Sequence, residues 1–104
     1  MSWQRAVDRA LKRLGLTHTQ YWVLLNAALL MDESEDAVSQ QRIAEAAQLD
    51  KMTTSTLTRK LEGRGLLDRA PSAEGIALRV IVTAKGRRAL SEATPLVAGI
   101  ARAR

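Results

Sequence analysis

The residues best equipped for chemistry lie between 51 and 60, KMTTSTLTRK, where cations flank a run of hydroxyls. On a helical wheel from Lys51 to Arg64, Thr54, Leu57 and Leu61 share one face, and Met52, Ser55, Thr56 and Arg59 take the opposite one. A face of this kind suits the major groove of a nucleic-acid duplex, which admits one helix and is read mostly from its N-terminal turns. Here those turns carry Met52, Thr53, Ser55, Thr56 and Arg59. Hydroxyls can bond base edges or phosphates, Met52 or a threonine methyl can touch a thymine methyl, and Arg59 suits a guanine or a phosphate. Lys51 and Lys60, at the margins, would position the chain against phosphates, and Ser39, Gln40 and Arg79 complete the candidate DNA-binding set. The bland alternative is a solvated surface helix. Against it, Thr and Ser are mediocre helix formers, and a purely structural face would do better with Glu, Lys or Ala.

Other chemistries find little to work with. The chain has no Cys, which removes disulfides, thiolate metal sites, cysteine nucleophiles and thiol redox sensing, and its one His leaves no histidine metal cluster. His18 falls in the first turn of an expected helix and reads as a surface or capping residue rather than a positioned base. Paired carboxylates occur only in the run DESED, Asp32 to Asp36, which reads as a solvated loop with no division into acid and base. A weak divalent-cation site is the sharper reading of that run, but it lacks the spacing of a calcium loop. Gly63, Gly65, Gly75 and Gly86 are dispersed among helix ends and a turn and make no phosphate cradle. No catalytic constellation, metal site or cofactor site is expected, and the chain reads as a non-enzyme.

The elements that must position the polar face follow from periodicity. Trp3, Val7, Ala10, Leu11 and Leu14 form the stripe of a first helix that Gly15 stops. Thr17 opens a second helix with Gln20 at capping-box spacing, and Tyr21, Leu24, Leu25, Ala28 and Leu29 are its expected buried face. Ser39 caps a short third helix with Ile43 and Ala47 inward, Gln48-Leu49-Asp50 makes a turn, and Asp50 caps the fourth helix, which Gly65 ends. A short helix, a tight turn and a helix with a polar, basic outer face is the helix-turn-helix arrangement. Leu66 to Ala70 then reads as a strand stopping at Pro71. Ser72 to Gly75 is turn chemistry, and Ala77 to Val82 alternates with Leu78, Val80 and Val82 on one side, giving a β-hairpin. Thr83 caps a last helix bearing Leu90, Leu96, Val97 and Ile100, with a kink or break expected at Pro95.

Composition sets the bounds. At 104 residues and 46% hydrophobic the chain is one domain's worth of ordinary globular sequence, read as a single domain over 1–104. With 3% aromatics and no Phe its core must be built from Leu, Ile, Val and Ala, thin enough that burial at a subunit interface would supplement it. The formal charge is +5 and the isoelectric point about 10.4, which makes a polyanionic partner plausible. Tyr21 to Leu30, the longest apolar run, is interrupted by Asn26 and falls short of the roughly 20 residues of a membrane helix. Met1 to Leu16 is charged and has no apolar signal core, so the expectation is a cytoplasmic protein with no membrane partner.

Three segments carry a family resemblance. LGLTHTQYWVL at 14–24, VSQQRIAEAAQLDKMTTSTLTRKLEGRGLLDR at 38–69 and VIVTAKGRRAL at 80–90 resemble the second helix, the winged helix-turn-helix and the strand and helix beyond the wing of the MarR family of bacterial transcriptional regulators. The combination of LDKMTTS with RKLEGRGLL is the most specific part, and the likeness covers about three quarters of the chain. It implies an α+β, mostly α, winged helix-turn-helix of about five helices with a two-stranded wing. Its implied function is that of a homodimer binding double-stranded DNA at a palindromic operator, usually as a repressor relieved by a small, often phenolic or aromatic, effector. His18, Tyr21 and Trp22 are candidates to line an effector pocket. The alternative puts Tyr21 in the core and Trp22 at an interface. Two departures stand out. At the wing tip Glu74 holds the family's acid place but Ile76 holds its Arg place. The terminal helices, 3–14 and 84–103, are short for the dimerisation role the family gives them. Those departures motivate the competing reading, a winged-helix protein-interaction module or a truncated regulator without strong DNA binding.

Overall fold

The computed structural model describes residues 3–34, 36–71 and 78–102. In chain order these form α1 (Trp3–Lys12), α2 (His18–Ser34), β1 (Val38–Ser39), α3 (Gln40–Ala47), α4 (Lys51–Gly63), β2 (Leu67–Pro71), β3 (Leu78–Val82) and α5 (Ala84–Arg102). Central among them is α2, which packs against α1, β1, α3, α4, β3 and α5, while α1 lies along α5. The capping box forms as spaced: the Gln20 amide donates to Thr17 Oγ1 and the Thr17 amide to Gln20 Oε1, each at 3.1 Å. Because α2 is covered from several sides, its buried residues are Tyr21, Val23, Leu24, Ala27 and Ala28. Val23 and Ala27 were not in the expected stripe; Leu25 is only half-buried, and Leu29, expected inside, is 53% exposed. A one-stripe wheel describes a helix at a surface, not one wrapped by neighbours.

The acidic run is not a loop through its length: α2 continues through Asp32 and Glu33 to Ser34. Its end carries no apolar stripe because it projects past the core, and Asp32 Oδ1 meets Arg87 Nη1 of α5 at 3.0 Å. Glu35 lies outside the described residues. The sheet has three antiparallel strands rather than two, in the order β1-β3-β2. Its extra strand is two residues long, too short for alternation to show, with Val38 opposite Val80 and Ser39 opposite Arg79. In the hairpin Leu67 pairs with Val82 and Pro71 with Leu78, so β2 starts and ends one residue later than its expected span. Val80 and Val82 are buried, whereas Leu78, with the same alternation, is exposed because the hairpin has there run beyond the core. The wing tip, including Glu74, Gly75 and Ile76, lies outside the described residues.

Helix ends are set by specific contacts. α1 stops at Lys12, two residues before the expected Leu14, and Gly15 then takes φ +74°. α4 ends at Gly63, with Arg64 as its C-cap. The Arg64 guanidinium reaches back to the carbonyls of Gly15 and Leu14, and Lys85 Nζ donates to the Arg64 carbonyl at 2.8 Å. Thr83 Oγ1 donates to the Gly65 carbonyl and accepts from the Gly86 amide, 2.6 and 3.0 Å, which ties the start of α5 to the end of α4. Gly86 has to be glycine, since a Cβ there would run into the Leu66 carbonyl oxygen. α5 runs on through Pro95 without a break, burying Leu90 and Ala93 and leaving Leu96 40% exposed. Ile100 and Trp3 have side chains outside the described set.

Candidate nucleic-acid interface

Two polar caps and a left-handed residue build the α3–α4 corner. Ser39 Oγ accepts from the Arg42 amide at 3.1 Å to open α3. Gln48 closes it at φ 58°, ψ 43°, its amide donating to the Ala44 and Glu45 carbonyls. Asp50 Oδ1 accepts from the Thr53 amide at 3.0 Å, as the N-cap spacing predicts. Bonds from the side chain and amide of Thr53 hold the Asp50 carboxyl below the ordinary carboxylate range, so the cap is charged at the positive end of α4 at neutral pH.

From that cap α4 presents its outer face as expected. Lys51, Met52, Thr53, Thr56, Arg59 and Lys60 are exposed and Ser55 is half-buried. Met52, at 78% exposure, contributes nothing to the core. Thr56 Oγ1 donates to the Met52 carbonyl at 3.1 Å, which turns its methyl rather than its proton outward. Among the described residues neither Lys51, Arg59 nor Lys60 pairs with a carboxylate. The inner face is Thr54, Leu57, Thr58 and Leu61, all buried. Thr58 joins the expected inner face by helical spacing with 54, 57 and 61, and its hydroxyl is tolerated inside because it finds acceptors in Gln40 Oε1 and the Ser55 carbonyl.

The remaining candidates lie across the corner. Ser39 and Arg79 are register partners, and Arg79 Nη1 donates to the Ala37 carbonyl at 2.8 Å. Gln40 and Lys51 line one cleft of about 610 Å³, whose walls also include Gln41, Ala44, Leu49 and Leu78. The Gln40 side chain faces inward as well, accepting from Thr58 Oγ1 at 2.7 Å and from Arg69 Nη1 at 3.3 Å. Arg69, 13% exposed, also holds Glu62 at 3.3 Å. Nothing in the local pattern at 67–71 marks Arg69 for this contact, because it depends on how β2 folds back along α4.

Among the described residues, the cleft that His18 lines includes neither Tyr21 nor Trp22. Tyr21 is in the core with its hydroxyl 3.3 Å from Thr94 Oγ1, and the Trp22 indole donates to the Ala47 carbonyl at 3.0 Å while the ring stays 40% exposed. His18 lines a separate cleft between α1 and the start of α2. No group of three His, Cys, Asp or Glu converges among the described residues, and no helix there is long and apolar enough to cross a membrane.

A helix-turn-helix whose second helix runs into a hairpin, with a short third strand closing the sheet, is a winged helix. The MarR family model matches residues 16–74, more than half of the chain, and the chain belongs to that family. A curated relative, the uncharacterized HTH-type transcriptional regulator YdcH of Bacillus subtilis, is 38% identical over 69 residues. That match takes in 66% of this chain and 46% of YdcH, so the chain spans about half of its relative's length. Among solved structures, the M. tuberculosis transcriptional regulator MOSR in complex with DNA superposes with a TM-score of 0.79 at 30% identity, covering 93% of this chain and 67% of MOSR. CouR from Rhodococcus jostii, bound to p-coumaroyl-CoA, gives a TM-score of 0.79 at 30% identity, covering 94% of this chain and 65% of CouR.

Proposed function

We propose that this chain is a sequence-specific double-stranded-DNA-binding transcriptional regulator of the cytoplasm. It acts as a homodimer on a palindromic operator, in the sense of a repressor that a small aromatic effector releases. The observation that carries this reading is the outer face of α4. Three cations there, Lys51, Arg59 and Lys60, have no carboxylate partner among the described residues, and they flank a row of hydroxyls that starts at the Asp50 cap. Phosphates would satisfy the cations, and base edges in the major groove would meet Met52, Thr53, Ser55 and Thr56. Ser39, Gln40 and Arg79, across the corner, would touch the backbone beside the groove.

The relatives support each part at its own level. MOSR was solved with DNA, which favours a duplex as partner, and CouR was solved with p-coumaroyl-CoA, which favours an effector carrying an aromatic group. Dimerisation through α1 and α5 would cover the exposed Leu96 and supplement a core that is short of aromatics. Selection of binding sequences from a random duplex pool tests the proposal. Enrichment of an inverted repeat whose half-sites lie about one helical turn apart is expected. A pool that stays random after selection, or a site without two-fold symmetry, would contradict it.

A further inference from the structure

Gln40 is held by two donors at one atom. Thr58 Oγ1 and Arg69 Nη1 both lie within hydrogen-bond reach of the same side-chain amide atom, at 2.7 and 3.3 Å, and for the single Thr58 proton this contact is shorter than that to the other acceptor, the Ser55 carbonyl at 3.1 Å. A guanidinium can only donate, so the atom facing Arg69 has to be the amide oxygen. Arg69 is itself fixed through its Nε, 3.3 Å from Glu62 Oε1, and is largely buried. Flipping the amide would set an NH2 group against that guanidinium and strand the Gln40 oxygen. The Gln40 Nε2 donates to no atom of the described residues.

We infer that Arg69 and Thr58 lock the Gln40 amide with its oxygen inward, so that Gln40 offers DNA only N–H donors and serves as a sequence-independent phosphate contact. This rests on the DNA-binding reading above. Glutamine reads adenine by giving one hydrogen bond and taking another, and the acceptor half of that pair is occupied here. A phosphate oxygen needs donors alone. Arg69, which lies on β2 and not on the recognition helix, is then a positioning residue: it acts on DNA through Gln40, and it couples the base of the wing to the start of α3.

Two variants of the full chain separate this role from a merely structural one, with two mixed-sequence duplexes as probes, one of only A·T pairs and one of only G·C pairs. Gln40→Glu keeps acceptors for Thr58 and Arg69 but removes the donors. It should leave the melting temperature unchanged or raised and weaken binding to both duplexes alike, by roughly tenfold or more, as expected for losing a hydrogen bond to a charged group. Gln41→Glu, the same charge change one position along, should weaken binding much less. Arg69→Lys preserves charge but cannot hold Glu62 and Gln40 together. It should weaken both duplexes in the otherwise unmodified chain and add little in the Gln40→Glu background. The side-chain NH2 resonances of Gln40, read by ¹⁵N NMR, should lie apart from those of free glutamine and move toward them in Arg69→Lys. A loss confined to the A·T duplex, equal effects of the two Glu substitutions, or free-glutamine resonances in the unmodified chain would each overturn the inference. If the unmodified chain binds neither duplex, the regulator reading falls and the phosphate role with it, while the NMR arm still decides the amide lock by itself.

Discussion

Arg59 stands on the outer face of α4, two turns after the Asp50 cap and without a carboxylate partner among the described residues. Under the proposed DNA-binding role two contacts are open to it, a bidentate one to guanine or one to phosphate, and they differ in what a truncation does. Arg59→Ala should cost about 1 to 3 kcal/mol on the selected operator and less on random duplex if the guanidinium reads a base, while a uniform loss makes it a phosphate contact. Parallel titrations of the two duplexes decide it. Asp50 makes a prediction in pH. Its carboxyl is held below the ordinary value by Thr53, so its contribution is present above the ordinary carboxylate value of 3.8 and is lost as pH falls through the lower, folded-state value. Thermal melts taken below pH 4 should therefore show α4 losing stability, and Asp50→Ala should flatten that part of the profile. An unchanged acid limb in Asp50→Ala would assign the loss to other carboxylates.

At the scale of elements, what the sequence makes legible is what local chemistry decides. The Thr17–Gln20 box, the Ser39 and Asp50 caps, the Gly15 stop and the inward Thr54-Leu57-Leu61 face each depend on residues within one or two turns of each other. The departures come where a distant neighbour decides. β1 exists because Val38 and Ser39 meet Val80 and Arg79, the α2 burial pattern because six elements surround that helix, and the Gln40 lock because β2 returns along α4. The polar face of α4 could be read directly, whereas Gln40, named among the candidates from sequence, has half of its hydrogen-bonding capacity committed to Thr58 and Arg69. One element junction leaves no slack. Gly86 sits against the Leu66 carbonyl and beneath Thr83, so Gly86→Ala must push α5 away from the α4–β2 turn. It should destabilise the chain by about 1 to 3 kcal/mol, the range for forcing extra atoms into packed sites. Denaturant unfolding reads this directly, and a neutral result would mean the junction yields.

For the whole molecule, the distribution of charge matters more than its total. From Val38 to Arg88 there are ten Lys or Arg against five Asp or Glu, so this segment by itself matches the +5 of the chain. Two of its cations pair with carboxylates, Arg69 with Glu62 and Arg87 with Asp32, and Arg64, Arg79 and Lys85 donate to backbone carbonyls, whereas Lys51, Arg59 and Lys60 have no such partner among the described residues. The proposed palindromic operator adds a second requirement, because reading it needs two copies held in register. The solution mass should be twice the 11.4 kDa of the chain, and Leu96→Asp on the exposed side of α5 should return it toward the single-chain value with the fold retained. A chain that sediments as a monomer at every concentration would remove the dimer, though not the proposed groove-facing role of α4. The most direct test of that helix is a titration of the unmodified chain with duplex DNA across a salt series. Binding should weaken steeply as salt rises, with a log-log slope of roughly −0.9 for each phosphate neutralised, and Lys51→Ala or Lys60→Ala should each lower that slope by about one. Binding that ignores salt, or no binding to any duplex at low salt, would contradict the account.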